Sequence, residues 1–247
     1  MTKLQLLTGI LVALLAGCAM PVSKHDLAAI KRVAVVSIIP DEIEFTRQGP
    51  ILPISIHQSV NSVPEWAISR SLRQHVEKKV GKKWTVVEID YDEQALRREF
   101  SKPNVWGGGW PNLHSYQKQA VASAIRGQTV DAVILLEPRG WPLGNVGAIG
   151  GLGVIRSPFI PSPSSLKPPS EVPRVHAILT GRVLRMPELI SIAYFDDAAW
   201  VEKPLDFDPT SLGLSGVSAP QKEEIRQAVE QCGKEAVDKV ISKLGVP

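Results

Sequence analysis

Short blocks of continuous apolar residues alternate along the chain with longer blocks whose apolar positions recur every third or fourth residue. Arg32 to Ile39 holds Val33-Ala34-Val35-Val36 and Ile38-Ile39 and ends at Pro40, which predicts a central strand buried on both faces. From about Pro64 to Val80, Ile68, Leu72, Val76 and Val80 keep helical spacing, Pro64 and Glu65 suit a first turn, and Gly81 stops the run. Trp84 to Ile89 alternates as a strand, and Asp92 to Phe100 reads as a short helix before Pro103. Pro111 to Arg126 reads as another helix, with Leu113, Tyr116, Ala120, Ala124 and Ile125 inward and Gly127 at its end. Ala132 to Leu136 returns as an apolar strand. This β-α-β-α-β series predicts parallel strands with right-handed crossovers, the Arg32–Ile39 strand lying between the other two.

The pattern then changes. Val175 to Met186 and Leu189 to Phe195, joined by Pro187-Glu188, predict an antiparallel hairpin that extends the sheet, and Gly181 within it marks a bulge or a close backbone approach. Asp41 to Val63, broken by Pro50 and Pro53, reads mostly as loop with room for a short hairpin. Pro220 to Leu244 predicts a helix: Ser218 and Gln221 have capping-box spacing, Ile225, Val229, Cys232, Ala236, Val240 and Leu244 form one stripe, and Gly245 ends it. Between Gly140 and Pro173 neither period holds. Gly144, Gly147, Gly150, Gly151 and Gly153 are followed by six prolines, which predicts a surface insertion. The expected fold class is α/β: a small mixed sheet with a parallel β-α-β-α-β core, an antiparallel hairpin and a closing C-terminal amphipathic helix.

The N-terminus changes the picture most. Lys3 precedes a mostly apolar stretch from Leu4 to Leu15, too short to span a bilayer as a helix, and Leu15-Ala16-Gly17-Cys18 follows at once. That run resembles the lipobox of bacterial lipoproteins in all four positions. The resemblance implies cleavage before Cys18, a diacylglycerol on its thiol and acylation of its new amine. Two or more acyl chains hold effectively permanently, since a single chain is marginal. By the same resemblance Ala19, which is not aspartate, points to the outer membrane and its periplasmic face. The expected organisation is a signal peptide over 1–17, a lipidated N-terminus and tether over 18–30, and one domain over 31–247 carrying the 140–173 insertion.

Charge adds little. Removing Lys3 leaves 27 basic against 25 acidic groups, a balance of +2, without the concentrated basic face of a nucleic-acid binder. Lys78, Lys79, Lys82 and Lys83 straddle Gly81 at a helix end, where the helix dipole favours cations. With Cys18 modified, Cys232 is the one remaining thiol and reads as a small buried hydrophobe.

Candidate chemistry is sparse. The glycines of 144–153 precede prolines instead of a helix, so they do not make a phosphate cradle. Trp106-Gly107-Gly108-Gly109-Trp110 could stack on a sugar, but covering one end of the following helix accounts for it. His25, His57, His75, His114 and His176 show no metal-ligand spacing, and no Gly-x-Ser-x-Gly elbow is present. Carboxylates crowd Asp41, Glu42 and Glu44, and again Asp196 and Asp197. Ligands of open α/β sheets collect beyond the carboxyl ends of the parallel strands, so Asp41 and Glu137 are the ligand-pocket candidates, expected there as neighbours.

The order of elements is similar to that of the amino-terminal domain of the Tol translocation protein, the curli-secretion lipoprotein and the lipoprotein activator of a peptidoglycan synthase, over roughly Arg32 to Leu244 and in topology alone. The resemblance implies a lipid-anchored, non-enzymatic protein without a cofactor. Its partners would be the membrane, through lipid, and other envelope proteins; nucleic acid is not expected, and association between copies stays open. Two alternatives remain: an envelope hydrolase whose site the linear sequence hides, or a subunit of an outer-membrane secretion assembly.

Overall fold

The computed structural model describes residues 24–48, 56–102, 112–142, 148–157, 170–210 and 213–245. In chain order these form α1 (Lys24–Ala29), β1 (Arg32–Ser37), β2 (Glu42–Gln48), β3 (Ile56–Ser62), α2 (Ile68–Val80), β4 (Thr85–Val86), α3 (Glu93–Phe100) and α4 (Ser115–Ala124). They continue with β5 (Ala132–Pro138), β6 (Gly140–Pro142), β7 (Ala148–Ser157), β8 (Ser170–Arg185), β9 (Ile190–Pro204) and α5 (Ala219–Lys243).

The fold is mixed α/β, and β1 lies between β5 and β4 with all three parallel. The β8–β9 hairpin runs antiparallel beside β5. The sheet has two tiers, because β8 is long enough to carry two neighbours in succession on one edge. Its first half pairs with β7 and its second with β5, with Ile178 opposite Gly151 and Leu179 opposite Pro138. The chain crosses from lower to upper tier twice: β1 leads through Pro40 and Asp41 into β2, and β5 leads through β6 into β7, which is parallel to β2. Ser37 pairs with Leu136 below and Glu44 with Gly153 above, seven residues apart on one path and seventeen on the other. The second path is therefore ten residues longer, and along it β6 pairs with the start of β7.

Three sequence expectations differ from the structure. The Gly140–Pro173 stretch is not wholly a surface insertion: β7 is an interior strand between β2 and β8, and Leu152, Val154 and Ile155 are buried in it. Glycine-rich sequence obscured an alternation that burial by neighbours on both sides makes stable. Asp41 to Val63 is not mostly loop, since β2 and β3 form an antiparallel pair seven residues long, from Glu42↔Ser62 to Gln48↔Ile56. The tether also ends earlier than expected. Lys24–Ala29 is helical, and Leu27 and Ile30 enter the core while Asp26 pairs with Arg185 at 3.0 Å. The lipobox, the Trp106–Trp110 run and 158–169 lie outside the described residues.

α2 and α5 pack on one face of both tiers, over Val35, Ile134, Phe45, Val154 and Val175. α3 and α4 cover the other face of the lower tier, over Ala34, Val36, Val133 and Leu135. α5 carries the expected stripe, Ser218 N donates to Gln221 at 2.9 Å as its capping box predicts, and Cys232 is buried in the stripe. Burial pushes that thiol up to about 12, so it is protonated and inert. Gly181 serves both suggested purposes. The β8–β9 register shifts beside it, and a Cβ there would lie 2.7 Å from Val240 Cγ1, so only glycine lets α5 sit this close to the sheet. No helix among the described residues is long and apolar enough to cross a membrane.

Candidate functional site

The carboxyl ends of β1 and β5 meet the tier junction, and concave surface gathers there. Cavities of about 250, 600 and 350 Å³ all take Pro40 and Glu42 as walls. The first reaches Glu44, Arg139 and Gly151, the second Asp41, Tyr91, Glu93 and Arg97, and the third Arg97, Phe100 and Glu137. Proline at 40 turns the chain between tiers and leaves Glu42, the first residue of β2, exposed at the centre.

Both sequence candidates stand at this end of the sheet, but they line different cavities and each has a fixed partner. Asp41 Oδ1 accepts from Ser69 N at 2.8 Å, so this carboxylate caps the start of α2 from a distant part of the chain. Its own carbonyl accepts from Val63 N at 2.9 Å, closing the β2–β3 hairpin. Glu137 is clasped by Arg182 on the neighbouring strand, Oε1 to Nε at 2.5 Å and Oε2 to Nη2 at 2.9 Å. The guanidinium lies over the Tyr194 ring, 4.9 Å from its centroid. Both members of the ion pair are close to buried, with side chains 13% and 9% exposed. A planar, bidentate and stacked pair of this kind holds β5, β8 and β9 in register.

Behind the second cavity lies a polar knot. Ser37 and Ser69 are fully buried with their hydroxyls 3.4 Å apart, Ser69 Oγ lies 3.4 Å from Glu93 Oε2, and Glu93 takes Arg97 at 2.8 Å. Tyr91 accepts from Ser37 N at 2.9 Å and donates to Ser37 O at 3.2 Å, replacing the sheet partner that the end of β1 lacks. Burial raises the Tyr91 pKa, so it stays a phenol. The knot ties α2, α3 and β1 together, and its two serines are wholly buried.

A buried polar row on the face of β8 turned away from α5 escaped sequence reasoning. Arg174, His176, Thr180 and Arg182 point one way from β8, while Val175, Ala177, Leu179 and Val183 point into the core. Arg174 pairs with Glu202 at 3.3 Å, and Trp200 Nε1 donates to the same carboxylate at 3.2 Å. On β2, Glu44 accepts from Thr46 Oγ1 at 2.6 Å and Gln58 Nε2 at 3.0 Å, and burial raises its pKa. His176 is wholly buried across Gly153, and burial pushes it down to about 4, so it is neutral at neutral pH. The period-two alternation of polar residues along 174–182 was the available signal. It lay inside a strand already assigned by its apolar members.

The remaining histidines do not converge. His75 bonds Asp238 at 2.8 Å, and His114 starts α4. Among the described residues no group of three or more His, Cys, Asp or Glu side chains could hold a metal ion. Gly150 and Gly153 prove to be packing residues of β7, and Gly151 takes a φ of +58°. A Cβ at Gly153 would lie 2.4 Å from Glu44 O and 2.7 Å from His176 Cε1.

No protein-family model matches the sequence, and no curated protein matches it. Among solved structures the chain is similar to protein XCC0632 from Xanthomonas campestris, described under the family DUF330, at 9% identity and a TM-score of 0.40, with 88% of this chain and 84% of that one covered. It is similar also to the hypothetical protein CT253 from Chlamydia trachomatis, at 10% identity and a TM-score of 0.38, with 88% and 98% covered.

Proposed function

We propose that this chain is a lipid-anchored envelope protein that works by binding other envelope components, with the hollow surface around Pro40 and Glu42 as its contact face. One observation carries the choice of binding over catalysis: three of the carboxylates lining the cavities are committed to the fold. Asp41 caps α2, Glu93 holds Arg97, and Glu137 is locked by Arg182. A general acid or base needs a group free to exchange its proton with substrate, and removing any of these would first loosen an element. Glu42, by contrast, is exposed at the meeting point of the cavities. The anchor rests on Leu15-Ala16-Gly17-Cys18, whose four positions match a lipobox.

Two measurements test the reading. Radioactive palmitate should label the protein and fail to label Cys18→Ser, and continued labelling of that variant would refute the anchor. A photo-crosslinking residue at position 42 should capture one recurrent envelope component in intact cells, while the same residue at Gln231, exposed on α5, should not. Equal capture at both positions, or none at either, would refute the contact face.

A further inference from the structure

At the opposite end of the domain, where β1 begins, lysines outnumber the exposed acids. Lys78 lies in the last turn of α2, and Lys82 and Lys83 follow it across Gly81. Lys31 precedes β1, and Lys243 ends α5. All five are exposed, and none makes an ion pair among the described residues. Three neighbouring acids are occupied: Asp26 with Arg185, Asp238 with His75 and Lys79, and Asp131 with the backbone N–H groups of Lys31 and Arg32, which lower its pKa. Glu77, a wall of the basal hollow, pairs with Arg73 at 3.6 Å, while Glu88 beside it and Glu188 on the turn of the β8–β9 hairpin are exposed acids. A hollow of about 610 Å³ opens there between Ile30, Lys31, Glu77, Lys82 and Trp84, with Lys83 Nζ 4.8 Å from the Trp84 ring.

The chain also enters at this end. α1 is held to the base through Asp26 and Arg185, and Arg185 pairs with Ala132, the first residue of β5. Six residue steps separate Cys18 from Lys24, a span of at most about 20 Å. The helix dipole accounts for cations in the last turn of α2, but not for Lys31 on the approach to β1.

We propose that this basal end is a membrane-contact surface for anionic phospholipid headgroups, holding the domain upright with the Pro40–Glu42 face turned away from the bilayer. The inference rests on the lipid anchor at Cys18 proposed above. The anchor supplies proximity, and the lysines supply orientation, since each one that reaches the surface favours the docked state roughly five-fold. Screening by salt, with a Debye length of about 10 Å at 0.1 M, makes the docking reversible.

The test uses the full mature chain purified with its lipid and inserted into nanodiscs of phosphatidylcholine alone, or of phosphatidylcholine mixed with phosphatidylglycerol. Intact mass first reads the acylation of Cys18. Lysine acetylation, mapped by mass spectrometry, then reads exposure. Phosphatidylglycerol should slow acetylation of Lys31, Lys78 and Lys243 several-fold relative to Lys222 near the start of α5, and high salt should restore it. In the double variant Lys82→Glu, Lys83→Glu that protection should disappear while the circular dichroism stays unchanged. A chain without lipid on Cys18 overturns both readings. A lipidated chain whose basal lysines react alike in both nanodiscs, or are protected equally in the charge-reversed variant, overturns this one alone.

Discussion

The imidazole of His176 on β8 lies directly across Gly153 on β7, so closely that a Cβ on the glycine would stand 2.7 Å from Cε1 and 3.0 Å from Nε2. This contact fits a flat, neutral ring into the upper tier, and it predicts a pH dependence. Free histidine has a pKa near 6.5 and burial pushes this one down to about 4, so the unfolded chain takes a proton first. Stability is therefore full above about pH 6.5 and declines as pH falls toward 4, by about 3 kcal/mol from this residue. Urea midpoints measured across that window should fall in the wild type and fall less in His176→Phe. Gly153→Ala should cost roughly 1–3 kcal/mol at neutral pH by forcing the ring and the Glu44 carbonyl apart. An unchanged midpoint would show that the tier tolerates a Cβ there.

The Glu137–Arg182 pair separates a structural carboxylate from a ligand-binding one. If it holds register, Glu137→Gln removes a bidentate carboxylate from a largely buried guanidinium and should destabilise by roughly 1–3 kcal/mol, while Glu137→Gln combined with Arg182→Met should recover much of that loss. A double-mutant cycle in urea measures the coupling. A Glu137→Gln protein of unaltered stability would return this residue to the list of binding candidates.

Asp41 should behave as a cap. Asp41→Ala removes the acceptor for Ser69 N and should cost about 1 kcal/mol, and Asp41→Asn, which keeps an acceptor oxygen, less. Amide exchange at Ser69 and Arg70 should quicken in the alanine variant before the rest of α2 does.

Replacing 148–157 by a Gly-Ser linker should abolish cooperative unfolding. The change removes Leu152, Val154 and Ile155 from the core and unpairs both β2 and β8, which loop-closure entropy cannot offset. Retained cooperative melting and near-ultraviolet circular dichroism would mean that the upper tier is dispensable.

What sequence alone determined follows from local periodicity. The apolar runs at 33–36 and 132–136, the four-residue rhythm from Ile68 to Val80 and the stripe from Ile225 to Leu244 each exceed one turn or one strand. They set element type, and the expected placing of β1 between the other two parallel strands matches the sheet. Ser218 and Gln221 marked the start of α5 because a cap is a contact between residues three apart. Tertiary structure decided the rest, because the deciding contacts are distant in sequence. β7 is a strand through its neighbours β2 and β8, which Gly150, Gly151 and Gly153 could not announce. Asp41 was placed at the correct end of the sheet, yet its partner Ser69 is 28 residues away. Glu137 faces Arg182 across 45 residues. Whether a carboxylate at a strand end waits for a ligand or completes a fold depends on such a partner, and that pairing comes into being only when the two tiers close on β8.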